Sequence, residues 1–165
     1  ISFGADARMA AQLTREIRRI TGKPLLMKLT PNVTDIAEIA RAVESEGADG
    51  ISMINTLLGM RIDVHGRKPV LSSTVGGLSG PAIKPVAVRM VYQVRKAVAI
   101  PIIGMGGIMT GEDAAEFIMA GADAVAVGMA AFADPVAPVR IKRELIDFMK
   151  RHGFRTPAQI RESFQ

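Results

Sequence analysis

The stretch EIARAVESEGADGISMINT, residues 38–56, returns in pattern 74 residues later as EDAAEFIMAGADAVAVGMA, residues 112–130. In each copy an amphipathic helical pattern stops at Gly-Ala-Asp and an apolar run follows at once. Glycine accepts the left-handed conformation that ends a helix, so Gly47 and Gly121 read as helix stops. The short apolar runs behind them read as buried strands. Two such units in one chain indicate a single β/α architecture with a parallel sheet.

Working outward, the same alternation predicts helices over 5–21, 34–46, 81–98 and 110–120, and strands over 24–30, 50–54, 101–104 and 124–128. Thr34 and Thr110 are read as helix caps, with Asp113 completing a capping box at Thr110, and Pro81 suits a first helical turn. Pro135 and Pro138 introduce a further helix to about residue 151, a short one lies over 129–134, and 156–164 closes the chain. Between residues 56 and 80 the repeat is interrupted. There MRIDVH and KPVLSS alternate around Gly66 as a small antiparallel hairpin, with His65 at its tip, and VGGLSG reads as a flexible turn. Four strands in 165 residues amount to about half of a β/α barrel, which typically needs roughly 250 residues. The expectation is the C-terminal half of a TIM (β/α)8 barrel, residues 1–165 belonging to one domain whose N-terminal half is absent.

Composition narrows the chemistry. There is no cysteine and only two histidines, so neither a disulfide framework nor a thiolate metal site is expected, and no metal is assigned. No apolar run reaches the roughly 20 residues needed to span a bilayer. A soluble cytoplasmic protein is the expectation. The net charge of +5 is spread along the helices with few aromatics between, which argues for a solvated basic surface rather than a nucleic-acid interface.

The polar and glycine positions at strand ends carry the functional reading. The third strand runs into Gly106 and Gly107, and the fourth into Gly128 and Met129. Glycine there lets backbone amides approach an anion, and barrel phosphate sites use the loops after the last two strands. Glycine also serves tight turns and close packing. Lys28, among apolar neighbours in the first strand, is expected either to be desolvated or paired, facing an anionic cofactor, or to snorkel to the rim. Asn55 and Thr56 end the second strand and offer hydrogen bonds to a ligand or to a turn. Asp49 and Asp123 recur at the same place in the repeat and read as supports for the helix-to-strand turns. Met27, Met53 and Met105 read as core or pocket lining.

In order along the chain, KLTPNVTDI (28–36), GADGISMINTLLGMRID (47–63), GGLSGPAIKPVA (76–87), IPIIGMGGI (100–108) and GADAVAVGMAAFADP (121–135) resemble the dihydroorotate dehydrogenases. The likeness is to the class that works with an iron–sulfur flavoprotein and reduces NAD. It implies an FMN cofactor, with Lys28 near the pyrimidine side of the flavin, Ile54 and Gly80 beside it, and Gly106, Gly107, Gly128 and Met129 at its phosphate. It implies that Asn55 and Thr56 bind dihydroorotate, which is oxidised to orotate in pyrimidine biosynthesis. Electrons would pass to a subunit carrying an iron–sulfur centre and FAD, in a heterotetramer built on a homodimer, and on to NAD.

Two departures follow from the same comparison. Relatives usually carry threonine at the position of Met129. The class also uses a cysteine base on a loop before the stretch that residues 1–4 resemble, so no catalytic base is assigned within residues 1–165. The isolated segment is expected to bind FMN weakly and to lack dehydrogenase activity. Two other readings stay open: a flavin enzyme like the dihydropyrimidine dehydrogenases, similar around Lys28 and Asn55, and a non-catalytic half-barrel module.

Overall fold

The structure is a computed structural model describing residues 3–164; Ile1 and Ser2, within the 1–4 stretch singled out above, lie outside the described residues. A 3-10 turn at Phe3–Ala5 precedes α1 (Ala7–Ile20), β1 (Leu26–Leu29), α2 (Ile36–Ser45) and β2 (Gly50–Met53). Four short strands follow, β3 (Leu57–Met60), β4 (Ile62–Asp63), β5 (Lys68–Pro69) and β6 (Val75–Leu78). A 3-10 turn at Pro81–Ile83 then opens α3 (Lys84–Arg95). The chain continues as β7 (Ile102–Met105), α4 (Gly111–Met119), β8 (Ala124–Ala126), α5 (Ala130–Ala133), α6 (Ala137–Arg151) and α7 (Pro157–Glu162).

The four predicted strands form one parallel sheet in the order β1-β2-β7-β8. Its two faces differ. Leu29, Ile51, Met53 and Ile102 point to the side packed by α2, α3 and α4, where they join Ile39, Val43, Val91 and Phe117 in one core. Lys28, Ser52, Ile103 and Ala124 stand side by side on the other face, on which Leu26, Lys28 and Ala124 are exposed. The alternation follows from the two-residue period of a strand.

The repeated Gly-Ala-Asp has a mechanical meaning. Asp49 donates its amide to the Leu25 carbonyl (2.9 Å) and accepts the Leu25 amide on its carboxylate (2.7 Å). Asp123 does the same to Ile102, at 2.8 and 2.9 Å. Each aspartate therefore clasps the start of the neighbouring strand by main chain and side chain together. An arginine from the preceding helix completes each clasp: Arg18 bonds Asp49 and the Gly47 carbonyl, and Arg95 bonds Asp123 and the carbonyls of Val98 and Ile100. Gly121, at φ +117°, leaves room for that arginine, since a Cβ there would lie 2.4 Å from Arg95 Cγ. Between β2 and β7 the same task falls to Glu44, which accepts the amides of Ala99 and Ile100.

Three expectations are corrected. Asp35, not Thr34, caps α2, accepting the amides of Ala37 and Glu38; its carboxylate is one residue nearer the first turn and carries a charge that favours a helix N-terminus. Residues 75–78 are a strand, not a flexible turn: β6 pairs antiparallel with β3, which lies outside the expected hairpin. The hairpin itself is reduced to Ile62–Asp63 against Lys68–Pro69, because Asp63 turns inward to accept the amides of His65 and Gly66. Thr110 and Asp113 do form a capping box, with Asp113 also accepting the Met109 amide.

Substituting Asp123→Ala should lower unfolding stability in urea by about 1–3 kcal/mol, because the Ile102 amide loses its side-chain acceptor. The Asp49 carboxyl is held below its ordinary value by the Leu25 amide and then by Arg18, and Glu144 is lowered by Arg140 and then by the Gly111 amide. A lowered carboxyl contributes its stability in full above the ordinary carboxylate range and loses it as pH falls through the folded-state value. The urea midpoint should therefore drop between about pH 6 and about pH 3, and Asp49→Asn should show a smaller drop from a lower starting point.

Candidate functional site

The carboxyl ends of the four parallel strands open into a cavity of about 430 Å³. Lys28 reaches it from β1, and Ile54, Asn55 and Thr56 from the exit of β2. Ser79 and Gly80 enter after β6, Met105, Gly106 and Gly107 from β7, and Ala126 to Met129 from β8; Ile83 and Phe132 complete the wall. The nine positions read as cofactor- or substrate-binding all line this one cavity. A second hollow of about 530 Å³ lies within the hairpin, bounded only by residues 61–65 and 68–70. It gathers no ends of the parallel strands and belongs to an exposed hairpin.

Local geometry explains the glycines. Gly80, Gly106 and Gly107 have φ of +85°, +130° and +81°, where a side chain would be strained. A Cβ on Gly107 would lie 2.7 Å from the Gly80 carbonyl oxygen, so these two turns touch backbone to backbone. Gly128 meets nothing within 4 Å and leaves the cavity open beside it. The amides of Gly106, Gly107, Gly128 and Met129 donate to no protein acceptor among the described residues. The Ile54 amide donates to the Met105 carbonyl at 3.0 Å, which joins the ends of β2 and β7.

Lys28 is exposed rather than desolvated or paired, because it stands on the sheet face opposite the helices. It is nonetheless the only charged side chain lining the cavity among the described residues. Asn55 and Thr56 are exposed, and Thr56 packs against Gly77, where a Cβ would meet its Oγ1 at 2.3 Å. Met129 is 42% exposed and its side chain passes near Gly80.

Two supporting residues, Asn32 and Lys84, escaped the sequence reading, and a third, Asp113, was read only as part of a helix cap. Asn32 accepts the Leu58 amide at 2.8 Å and donates to the Thr56 carbonyl at 3.0 Å, so it holds the chain at two points as it leaves Thr56. Its place in KLTPN, two residues past the end of a strand, was the available signal. Lys84 donates to Asp113 and Glu116, each at 2.6 Å. The two carboxylates, Asp113 foremost, raise the Lys84 ammonium above its ordinary value. Burial pushes the Asp113 carboxyl upward, but Lys84 and the Met109 and Thr110 amides outweigh it and hold Asp113 below its usual range. Because the Lys84 contacts are tertiary, no sequence spacing announces them.

The donor set fits an anionic ligand with a phosphate: one ammonium, a group of free amides, glycines that leave the space unfilled, and apolar walls from Ile54, Ile83, Met105 and Val127. Neither carboxylate nor imidazole lines the cavity among the described residues, so its groups bind, orient and stabilise negative charge.

Known proteins match this chain closely. It is 55% identical over 163 residues to a protein from Alkaliphilus metalliredigens, covering 99% of this chain and 54% of that one. It is 60% identical over 153 residues to one from Desulforamulus reducens, covering 93% and 50%, and 58% identical over 160 residues to one from Halalkalibacterium halodurans, covering 97% and 52%. Each relative is named dihydroorotate dehydrogenase B (NAD(+)), catalytic subunit. The chain spans about half the length of the relatives it matches. A family profile described as dihydroorotate dehydrogenase matches residues 1–149, and with the identities above it follows that the chain belongs to the dihydroorotate dehydrogenase family.

Proposed function

We propose that this chain is the C-terminal half of an FMN-binding β/α barrel, and that the whole protein oxidises dihydroorotate to orotate in pyrimidine biosynthesis. The observation that carries the proposal is the convergence of all nine family-matched positions on one cavity at the strand ends. The names of the relatives support the reaction and the use of NAD. In a barrel, the uncovered sheet face becomes the interior, which explains why Lys28 is exposed in this segment.

FMN, when bound, supplies a two-electron acceptor beside the substrate. The free amides of Gly106, Gly107, Gly128 and Met129 hold its phosphate, as oriented backbone N–H groups do for anions. A side-chain hydroxyl at Met129 is missing, so its contribution comes from the backbone. Lys28 would place a positive charge beside the bound cofactor, the arrangement that preorganised sites use to stabilise developing negative charge. Ile54 and Gly80 flank the flavin, and the apolar walls limit water.

Asn55 and Thr56 hydrogen-bond the pyrimidine and fix its orientation. Asn32 keeps both in place from the end of β1. Oxidation removes one proton and one hydride from the substrate, and a cysteine that precedes this stretch in the whole protein takes the proton. The partner is a subunit with an iron–sulfur centre and FAD, which carries the electrons to NAD, in a heterotetramer built on a homodimer acting in the cytoplasm.

Anaerobic addition of dihydroorotate to the intact protein should bleach its visible flavin absorbance, and dihydrouracil should not. An unbleached flavin would overturn the assignment, and an equal response to dihydrouracil would place the protein among other reduced-pyrimidine dehydrogenases. Asn32→Ala should raise KM for dihydroorotate about tenfold or more by freeing the Asn55–Thr56 segment, while FMN affinity stays near that of the parent, as read by steady-state kinetics and flavin titration.

A further inference from the structure

The Lys84 and Asp113 side chains lie outside the cavity wall, yet they join its two glycine turns. The Asp113 carboxylate accepts the amides of Met109 and Thr110, both at 2.9 Å, which fixes the chain just beyond Gly107. Its other oxygen takes the Lys84 ammonium at 2.6 Å, and Lys84 begins the helix that follows Gly80 and its 3-10 turn. Between these anchors the backbones are in contact, since a Cβ on Gly107 would lie 2.7 Å from the Gly80 oxygen and 2.9 Å from Lys84 Cβ. The pair is also shielded, with 26% of the Lys84 side chain and 16% of Asp113 exposed. Shielded, hydrogen-bonded pairs of this kind hold geometry better than exposed ones.

We propose that Lys84 and Asp113 are positioning residues that set the spacing of the Gly80 and Gly106–Gly107 turns, and thereby the affinity for the phosphate of a flavin mononucleotide. The proposal rests on the cofactor reading above. Hydrogen bonds weaken steeply with distance and angle, so a turn displaced by a fraction of an ångström loses its phosphate contacts. Of the contacts to the ring system, those of Lys28 and Ile54 are left in place, and only that of Gly80 lies on a displaced turn. The signature of this role is a loss of preference for a phosphorylated flavin over an unphosphorylated one.

The test titrates the intact protein, stripped of flavin, with FMN and with riboflavin, reading flavin fluorescence for the parent, Lys84→Met, Asp113→Asn and Glu46→Gln. Glu46 pairs with Arg15 between α1 and α2, away from the cavity. The FMN-over-riboflavin affinity ratio should fall about tenfold in Lys84→Met and in Asp113→Asn, with riboflavin affinity retained, and stay unchanged in Glu46→Gln. Retained riboflavin affinity also shows that the variants fold. Equal loss of both affinities, or an unchanged ratio, would overturn the positioning role. A parent protein that does not favour FMN would instead refute the cofactor reading, and the positioning role with it.

Discussion

The parallel register of β1, β2, β7 and β8 is the constraint on which the rest depends. Sliding one strand by a residue would turn its core side chains to the open face and move its terminal glycine away from the cavity. The register is held at the far end of the sheet. Asp49 clasps Leu25, Glu44 bonds Ala99 and Ile100, and Asp123 clasps Ile102. Each junction thus has a carboxylate that reads the neighbouring strand's backbone, and the cavity at the opposite end inherits its geometry from those contacts.

The same device recurs at the cavity end with different chemistry. Asn32 splints the β2 exit, and Asp113 splints the β7 exit, both by taking backbone amides on short polar side chains. Short side chains lose little rotational entropy when fixed, so they hold a loop at lower cost than a long flexible residue could. Among the described residues, the groups left free after this splinting include the ammonium of Lys28, the side chains of Asn55 and Thr56 and the amides of the glycine turns. They are the groups a ligand can use.

Much of this is legible in the sequence. The strands and long helices followed from hydrophobic period and from the Gly-Ala-Asp repeat, because burial on one face leaves its mark on sequence. The cavity residues followed from strand-end position and from family motifs. What escaped has physical reasons. Residues 75–78 carry two glycines and little apolar alternation, so their pairing with β3 left no pattern to read. Asp35 and Thr34 are both competent caps, and only the path of the chain decides between them. The apolar neighbours of Lys28 suggest a desolvated or paired ammonium, whereas alternate residues of one strand face different surroundings. Lys84 with Asp113 is 29 residues apart and is brought together only by the packing of α3 on α4.

The two outermost strands of the sheet have a further consequence. Among the described residues, β1 and β8 each pair on one side only, and Leu26, Lys28 and Ala124 line the face between them. An apolar face attracts without direction, but a row of unpaired peptide groups accepts a partner only in fixed steps. Any strand added at either edge would therefore be aligned by its backbone and merely retained by its side chains, so its sequence could vary on the covered face so long as its length were kept.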